Sequence, residues 1–205
     1  MKLYTYPDAP NPRRVHIYLA EKGIEVPCEK VDITKRENRQ PEFIERVNIM
    51  GGLPVLELDD GSHIAESIAI CRYFEALHPD KPLFGAAPRD QARTEMWLRR
   101  IELNFMMPVG MVWVHGSPLT ATIIKNQIPE VADQNREVVK RYFAFLNEQL
   151  ATREFIAGDK YSIADIVALC TYDFAGYLNA MHPEEEHANL RAWHQRVSGR
   201  PSAAA

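Results

Sequence analysis

Hydrophobic positions in the first part of the chain change their spacing several times, and each spacing predicts a different element. The run Leu3–Tyr6 is short and aromatic, as a strand is, whereas the apolar residues after it recur at helical spacing until Gly23. A second strand is predicted at Cys28–Ile33. The chain therefore begins with a β-α-β unit whose two strands should be parallel.

The next part alternates between strand and helix patterns. A short helix is predicted at Pro41–Val47, because proline at the first helical position costs no hydrogen bond, and a strand is predicted at Pro54–Leu58. The turn Asp59-Asp60-Gly61 favours a hairpin that leads into His63 and Ile64. The helix that follows should pack one apolar face on the sheet. The residues of that face are Ile70, Tyr73, Phe74 and Leu77.

Residues 79–89 interrupt this pattern. They contain three prolines and no apolar periodicity, which is typical of a stiff linker, so we place one domain at 1–78 and a second at 90–205. The second is predicted to be all-helical, because its apolar residues keep to helical spacing and no strand pattern intervenes. The Ala203-Ala204-Ala205 run is expected to fray. The helical positions include Trp97, Ile101, Phe105, Val139, Phe143, Leu146 and Leu150.

Ser162 and Asp165 open one of these helices. A serine followed three residues later by an acid is a capping box, here with Asp in place of the usual Glu. We interpret both residues as structural rather than catalytic.

Composition excludes several classes of protein. The net charge of −4 and the lack of a long Lys/Arg run argue against nucleic acid as the main partner. No stretch approaches the roughly 20 apolar residues that span a bilayer, and the first residues lack the apolar core of a signal peptide, so we expect a cytoplasmic protein without membrane contact. The three cysteines form no CxxC pair, which predicts buried apolar thiols and no metal site.

Two segments of the first domain carry a family resemblance. Gly52–Leu58 and, beyond the hairpin, Glu66-Ser67 resemble the glutathione-binding half of the cytosolic glutathione S-transferases. Phe155–Asp165 and Asn189–Ser202 are similar to the family's capping-box segment and last helix, so the resemblance covers nearly the whole chain. It implies an α/β thioredoxin-like N-terminal domain and an all-α C-terminal domain, glutathione as co-substrate, and a homodimer.

The resemblance also assigns glutathione-binding residues. It implies that Pro54 is cis and that the backbone of Leu53 pairs with the cysteinyl part of glutathione; a plain proline opening an edge strand is the alternative. Glu66 and Ser67 would bind the γ-glutamyl ammonium and carboxylate, which suits a helix N-terminus. The alternative is that they only cap the helix.

The glycyl carboxylate of glutathione needs a cation or amide donors. By the resemblance Arg39 is the best candidate and Asn38 the next, while Gly52 stands where the family often has a lysine. A solvated charge in a polar loop is the alternative interpretation of Arg39.

The group that activates the glutathione sulfur is predicted in the loop after the first strand. Ala9 replaces the serine of theta-like and zeta-like members, and Asn11 falls where bacterial nu-class members place an asparagine, so the loop is most similar to nu-like and theta-like members. An amide that donates to the thiolate would lower its pKa. Asn11 also suits an N-cap before Pro12. Tyr6 is the second candidate.

The second substrate should bind near the start of the helical domain. Met107, Met111 and Trp113 are adaptable apolar side chains, and Pro108 and Gly110 should kink or end their helix. The leading function is a transferase that adds the glutathione thiolate to a small hydrophobic electrophile. The alternatives are a glutathione-dependent disulfide or peroxide reductase and a non-catalytic interaction module.

Overall fold

The structure is a computed structural model that describes the backbone of residues 1–205 and every side chain except that of residue 178. The chain divides into two compact units. One comprises residues 1–82 and 201–205, and the other residues 83–200. The limits 1–78 and 90–205 remain predictions.

The first unit is a mixed sheet with helices. The strand order is β2-β1-β3-β4; β1 is parallel to β2 and antiparallel to β3, and β3 is antiparallel to β4. This is the predicted α/β thioredoxin-like arrangement. The elements are β1 (Lys2–Thr5), α1 (Pro10–Lys22), β2 (Cys28–Lys30), α2 (Pro41–Arg46), β3 (Val55–Glu57), β4 (His63–Ala65) and α3 (Ser67–Leu77), with 3-10 turns at Glu37–Arg39 and Pro201–Ala204.

Strand β2 ends three residues earlier than predicted. The pairing stops after Val31, whose N–H donates to the Thr5 carbonyl. Asp32 then turns the chain, because its Oδ1 accepts hydrogen bonds from the N–H and the hydroxyl of Thr34, at 2.9 and 2.6 Å. A side chain that bonds the backbone two residues on competes with the strand ladder.

The core of the first unit lies between the sheet and the helices α1 and α3. Burying these apolar side chains supplies the main favourable free energy of folding. Leu77 was predicted on the packed face of α3 but is 49% exposed, because the helix ends at this residue. The fully buried positions on this side include Leu3, Val15, Ile17, Tyr18, Leu56, Ile70 and Cys71, whereas Val55 packs with Val31 and with Phe43 of α2 in a second cluster.

The second unit is helical, as predicted. Its apolar core contains the predicted positions from Trp97 to Leu150 together with α7 and Trp193. The elements are α4 (Pro88–Ile101), a π-helical segment (Glu102–Met106), α5 (Met107–Gly116), a 3-10 turn (Pro118–Thr120), α6 (Pro129–Leu150), α7 (Ile163–Asn179) and α8 (Ala188–Ser198).

Pro108 does not end its helix. The backbone stays helical from α4 into α5, and the π-helical segment Glu102–Met106 lies immediately before this proline. Proline has no N–H to donate, and a local change of hydrogen-bond pattern is a common way for a helix to accommodate it.

The capping box of α7 is confirmed. The carboxylate of Asp165 is fully buried and accepts hydrogen bonds from the Ser162 N–H at 3.0 Å and the Trp193 indole at 2.9 Å. Further donors are the Ser162 hydroxyl and the Ile156 N–H. These bonds join the start of α7 to α8 and to the loop before it, which supports the structural interpretation.

Two smaller expectations were wrong. Cys71 and Cys170 are buried as predicted, but Cys28 is exposed because β2 is an edge strand. Residues 203 and 204 are not frayed, since they belong to the 3-10 turn that contacts α1. Within the described part of the chain, no helix has both the length and the apolarity needed to cross a membrane.

Candidate functional site

Strand register brings the predicted glutathione-binding segments to one edge of the sheet. Val55 at the start of β3 pairs with Tyr4 near the end of β1 on one side, and with Ala65 at the end of β4 on the other. Both pairings are antiparallel, so the residues before Val55 lie beside those after Tyr4 and after Ala65. Leu53-Pro54, Tyr6 and Glu66-Ser67 therefore share this edge.

The peptide bond between Leu53 and Pro54 is cis, as the resemblance predicted. Pro54 is buried and Leu53 is half-buried. Among the described residues, the backbone N–H and C=O of Leu53 have no hydrogen-bond partner. Unpaired backbone groups at a strand end are suited to an extended peptide ligand that adds to the sheet.

Glu66 and Ser67 form the entrance to α3. Glu66 is the N-cap with φ +70 and ψ 120, and its side chain makes no capping hydrogen bond. A non-glycine residue at positive φ is strained, and such residues concentrate at functional sites. Ser67 follows as the first helical residue and is 7% exposed. Glu66 therefore occupies the N-cap position, but its side chain does not cap the helix.

Arg39 and Asn38 brace the loop that leads to Leu53. The Asn38 amide donates to the Gly51 carbonyl at 2.7 Å, and Arg39 Nη1 donates to the Met50 carbonyl at 3.0 Å. Gly51 has φ +60, and a Cβ there would lie 2.8 Å from the Asn38 carbonyl oxygen. Arg39 is exposed and uses one guanidinium nitrogen in this contact, so its other N–H groups are available to a carboxylate.

The start of α1 differs from the predicted capping arrangement. The helix begins at Pro10 with Ala9 as the N-cap, so Asn11 is the second helical residue and its interpretation as an N-cap is wrong. The reason is that Pro10 takes the first helical position, to which its fixed φ is suited.

Prolines also restrict the donors that α1 offers. The first N–H groups of a helix have no partner within the helix, but Pro10 and Pro12 have no N–H, and the Arg13 N–H already donates to the Ala9 carbonyl. The N–H of Asn11 is therefore the free backbone donor of this turn. The Asn11 side chain is exposed and has no hydrogen bond within the described structure. Both donors of this residue are open to a ligand.

Tyr6 lies one residue beyond β1. Its ring is half-buried, and Lys30 Nζ lies 5.2 Å from the ring centroid. Its carbonyl accepts a hydrogen bond of 2.9 Å from the Ala9 N–H. The backbone of Tyr6 thus helps to set the loop that enters α1.

The predicted acceptor residues lie on α5 in the second unit. Met107 and Met111, which are 51% and 38% exposed, are one turn apart and share a face. Trp113 lies on a different face, where its ring packs edge-on against Phe174 at 5.5 Å. The structure thus groups the two methionines and separates Trp113 from them.

Sequence reasoning missed the part played by Asn48. Its amide donates to the Gly52 carbonyl at 2.9 Å and its Oδ1 accepts from the Met50 N–H at 3.1 Å, so it shapes the loop before Leu53. An asparagine shortly before a glycine pair was the available signal, because Asn favours such turns. No cluster of three or more metal-ligating side chains occurs among the described residues.

Comparison with known proteins gives matches in both units. Residues 3–82 match the family described as "Glutathione S-transferase, N-terminal domain", and residues 105–201 match "Glutathione S-transferase, C-terminal domain". Glutathione S-transferase 2 of Saccharomyces cerevisiae is 36% identical, and the alignment covers 98% of this chain and 87% of that protein.

Two solved structures are also similar. A glutathione S-transferase domain-containing protein from Marinobacter aquaeolei has a TM-score of 0.92 at 38% identity, with 98% of this chain and 99% of that chain covered. Gtt2 from Saccharomyces cerevisiae has a TM-score of 0.93 at 35% identity, with coverage of 100% and 99%.

Proposed function

Because the chain belongs to the glutathione S-transferase family and is a glutathione transferase, we propose that it adds the glutathione thiolate to a small hydrophobic electrophile at the sheet edge described above. Glutathione is the co-substrate. The observation that carries the proposed location is the register that brings Leu53 beside Glu66 and Ser67.

Four residues hold the tripeptide in this proposal. The N–H and C=O of Leu53 pair with the cysteinyl residue, and their lack of protein partners supports this. Ser67 binds the γ-glutamyl carboxylate at the N-terminus of α3, where the helix dipole favours an anion. Glu66 accepts from the γ-glutamyl ammonium, and Arg39 binds the glycyl carboxylate through its unused guanidinium N–H groups.

Asn11 activates the sulfur. Its side-chain amide and its N–H both donate to the thiolate, which stabilises the charged form and lowers the thiol pKa. The proton leaves to solvent. The thiolate then forms a carbon–sulfur bond, and in a substitution the leaving group departs with its bonding electron pair. Tyr6 is the second candidate, through its hydroxyl.

The electrophile binds against Met107 and Met111, whereas Trp113, the third predicted residue, packs against Phe174 on a different face of α5. The exposure of the two methionines supports this, because flexible thioether side chains adapt to apolar ligands of different shapes. We also propose that the loop between β1 and α1 is of the nu-like or theta-like type.

We also propose a cellular location, an oligomeric state and domain limits for this protein. The protein acts in the cytoplasm as a homodimer, with a glutathione-binding domain at 1–78, a linker at 79–89 and a helical domain at 90–205. Ile49 and Met50 are 82% and 72% exposed, which supports an interaction surface on the first domain. Sedimentation equilibrium over a range of concentrations tests the dimer.

Calorimetry and steady-state kinetics together test the function. Purified protein should bind glutathione with one site per chain and should conjugate it to a model aryl halide. Binding of glutathione without turnover of the aryl halide, combined with reduction of a model disulfide, would favour the reductase. Absence of glutathione binding would favour the non-catalytic module.

A further inference from the structure

Residues 201–204 lie along one face of α1. The hydroxyl of Ser202 donates to the Glu21 carboxylate, and Arg13 Nη2 donates to the Ala203 carbonyl at 3.3 Å. Arg13 and Glu21 are two turns apart on the same side of the helix. Ser202 is 7% exposed and Glu21 is half-buried, so their bond is partly shielded from water.

Two other elements hold α1 by polar contacts. On the sheet side, the His16 ring and the Thr5 hydroxyl are 2.8 Å apart. On the α3 side, Glu75 accepts from the Tyr18 hydroxyl at 2.5 Å and pairs with Lys22 Nζ at 2.9 Å. The segment 201–204 supplies a third set of contacts. A helix held from three directions has its rotation and its axial position defined.

The orientation of α1 matters because its first turn contains Asn11. This turn has no capping side chain and contains two prolines, so local hydrogen bonds define it weakly. Arg13 lies half a turn beyond Asn11, so its contact with Ala203 lies close to that end of the helix. Errors of about 1 Å in the placement of a reacting group can cost about 100-fold in rate.

We propose that Ser202 is a positioning residue for sulfur activation: its bond to Glu21 seats residues 201–204 on α1 and so directs the Asn11 donors at the glutathione sulfur. This inference rests on the function proposed above. A hydroxyl-to-carboxylate bond is charge-assisted, which makes it stronger than an ordinary hydrogen bond. Neither Ser202 nor Glu21 touches glutathione in this account.

Substitution of Ser202 tests the proposal. In Ser202→Ala the thiol pKa of bound glutathione should rise by about half a unit, so that kcat below that pKa falls about threefold while KM for glutathione is unchanged. Ser202→Thr retains the hydroxyl and should restore wild-type values. Ser198→Ala is the matched control, since the exposed Ser198 hydroxyl bonds only within its own helix.

A purely structural role gives a different result. If Ser202→Ala melts at a lower temperature but keeps the wild-type kcat and thiol pKa, the proposal is overturned. Should this variant fail to fold, Glu21→Gln, which weakens the same bond without removing the side chain, must show the rise in thiol pKa. Wild-type protein that does not bind glutathione would overturn the proposed function itself. If the wild-type protein binds and ionises glutathione, and Ser202→Ala has the same kcat and thiol pKa as the wild type, only this inference is overturned.

Discussion

Val55 lies opposite Ala65 in the antiparallel ladder of β3 and β4. This one pairing places Leu53-Pro54, which precedes β3, beside Glu66-Ser67, which follows β4. The two segments are separated in sequence by a hairpin, yet the unpaired backbone groups of Leu53 and the N-terminus of α3 meet at one edge. We assign the glutathione site to this edge.

Removal of the γ-glutamyl contacts should weaken glutathione binding. We expect Ser67→Ala and Glu66→Gln each to cost about 1–3 kcal/mol of binding free energy, because each leaves a charged ligand group without its partner. Titration calorimetry measures the change. Glu42→Gln removes an exposed acid of α2 that pairs with Arg46 on the same helix, and serves as the control. Unchanged affinity in both site variants would contradict the assignment.

Asn11→Ala separates activation of the sulfur from binding of the tripeptide. The variant keeps the backbone N–H but loses the side-chain amide, so kcat should fall with little change in KM for glutathione. Its thermal stability should stay close to wild type, because Asn11 does not cap α1. Tyr6→Phe, which deletes one hydroxyl, tests the second candidate. Full turnover of an aryl halide by both variants would refute the catalytic assignment.

Gly51→Ala should disturb the loop that leads to Leu53. The glycine has positive φ, and an added Cβ would approach the Asn38 carbonyl and the Arg39 guanidinium to 2.8 and 3.0 Å. We expect a loss of about 1–3 kcal/mol of stability beyond that of the control, together with weaker glutathione binding. Gly61→Ala is the matched control, since Gly61 also has positive φ but no atom within 4 Å of the added Cβ. Equal effects in both variants would show that the contact is unimportant.

Stability should depend on pH through Asp165. Burial raises the pKa of this carboxyl to about 6, and its hydrogen-bond donors only partly oppose the shift. In the unfolded chain this carboxyl releases its proton near pH 4. Between about pH 4 and 6 the folded state therefore binds more protons than the unfolded state. The free energy of unfolding should fall as pH rises through this range, by about 3 kcal/mol in total. Denaturant unfolding at several pH values measures this slope.

Two variants of this site distinguish the source of the slope. Asp165→Asn removes the titrating group, so the difference in unfolding free energy between wild type and this variant should shrink as pH rises from 4 to 6. Ser162→Ala keeps the carboxylate but removes a donor that lowers its pKa, so the slope should persist and extend to higher pH. A constant difference between wild type and Asp165→Asn would show that Asp165 titrates alike in the folded and unfolded states.

The spacing of apolar residues and the turn residues predicted most helices and strands. The predicted boundaries were wrong where a single residue fixed the end of an element. The turn Asp59-Asp60-Gly61 does join β3 to β4, because its residues favour tight turns. The start of α1 was predicted at the wrong residue because Pro10, and not Pro12, takes the first helical position, which makes Ala9 and not Asn11 the N-cap. The end of β2 was misplaced because the Asp32 side chain bonds to the backbone of Thr34.

Contacts between segments far apart in sequence could not be predicted from the local spacing of residues. The bond between Ser202 and Glu21 joins residues 181 positions apart, and no periodicity in either segment encodes it. The glutathione residues were predicted only because Leu53-Pro54 and Glu66-Ser67 resemble a known family. The register of β3 with β4 supplies the physical reason that these two segments meet.

The ultraviolet titration of glutathione bound to the wild-type protein tests the central claim most directly. Thiolate absorbance, followed against pH with an S-methylated glutathione complex as the blank, gives the pKa of the bound thiol. If the start of α1 activates the sulfur, that pKa lies well below the value of about 8.5 for a free thiol, and thiolate is present at neutral pH. A bound thiol that titrates at the free value would contradict the account.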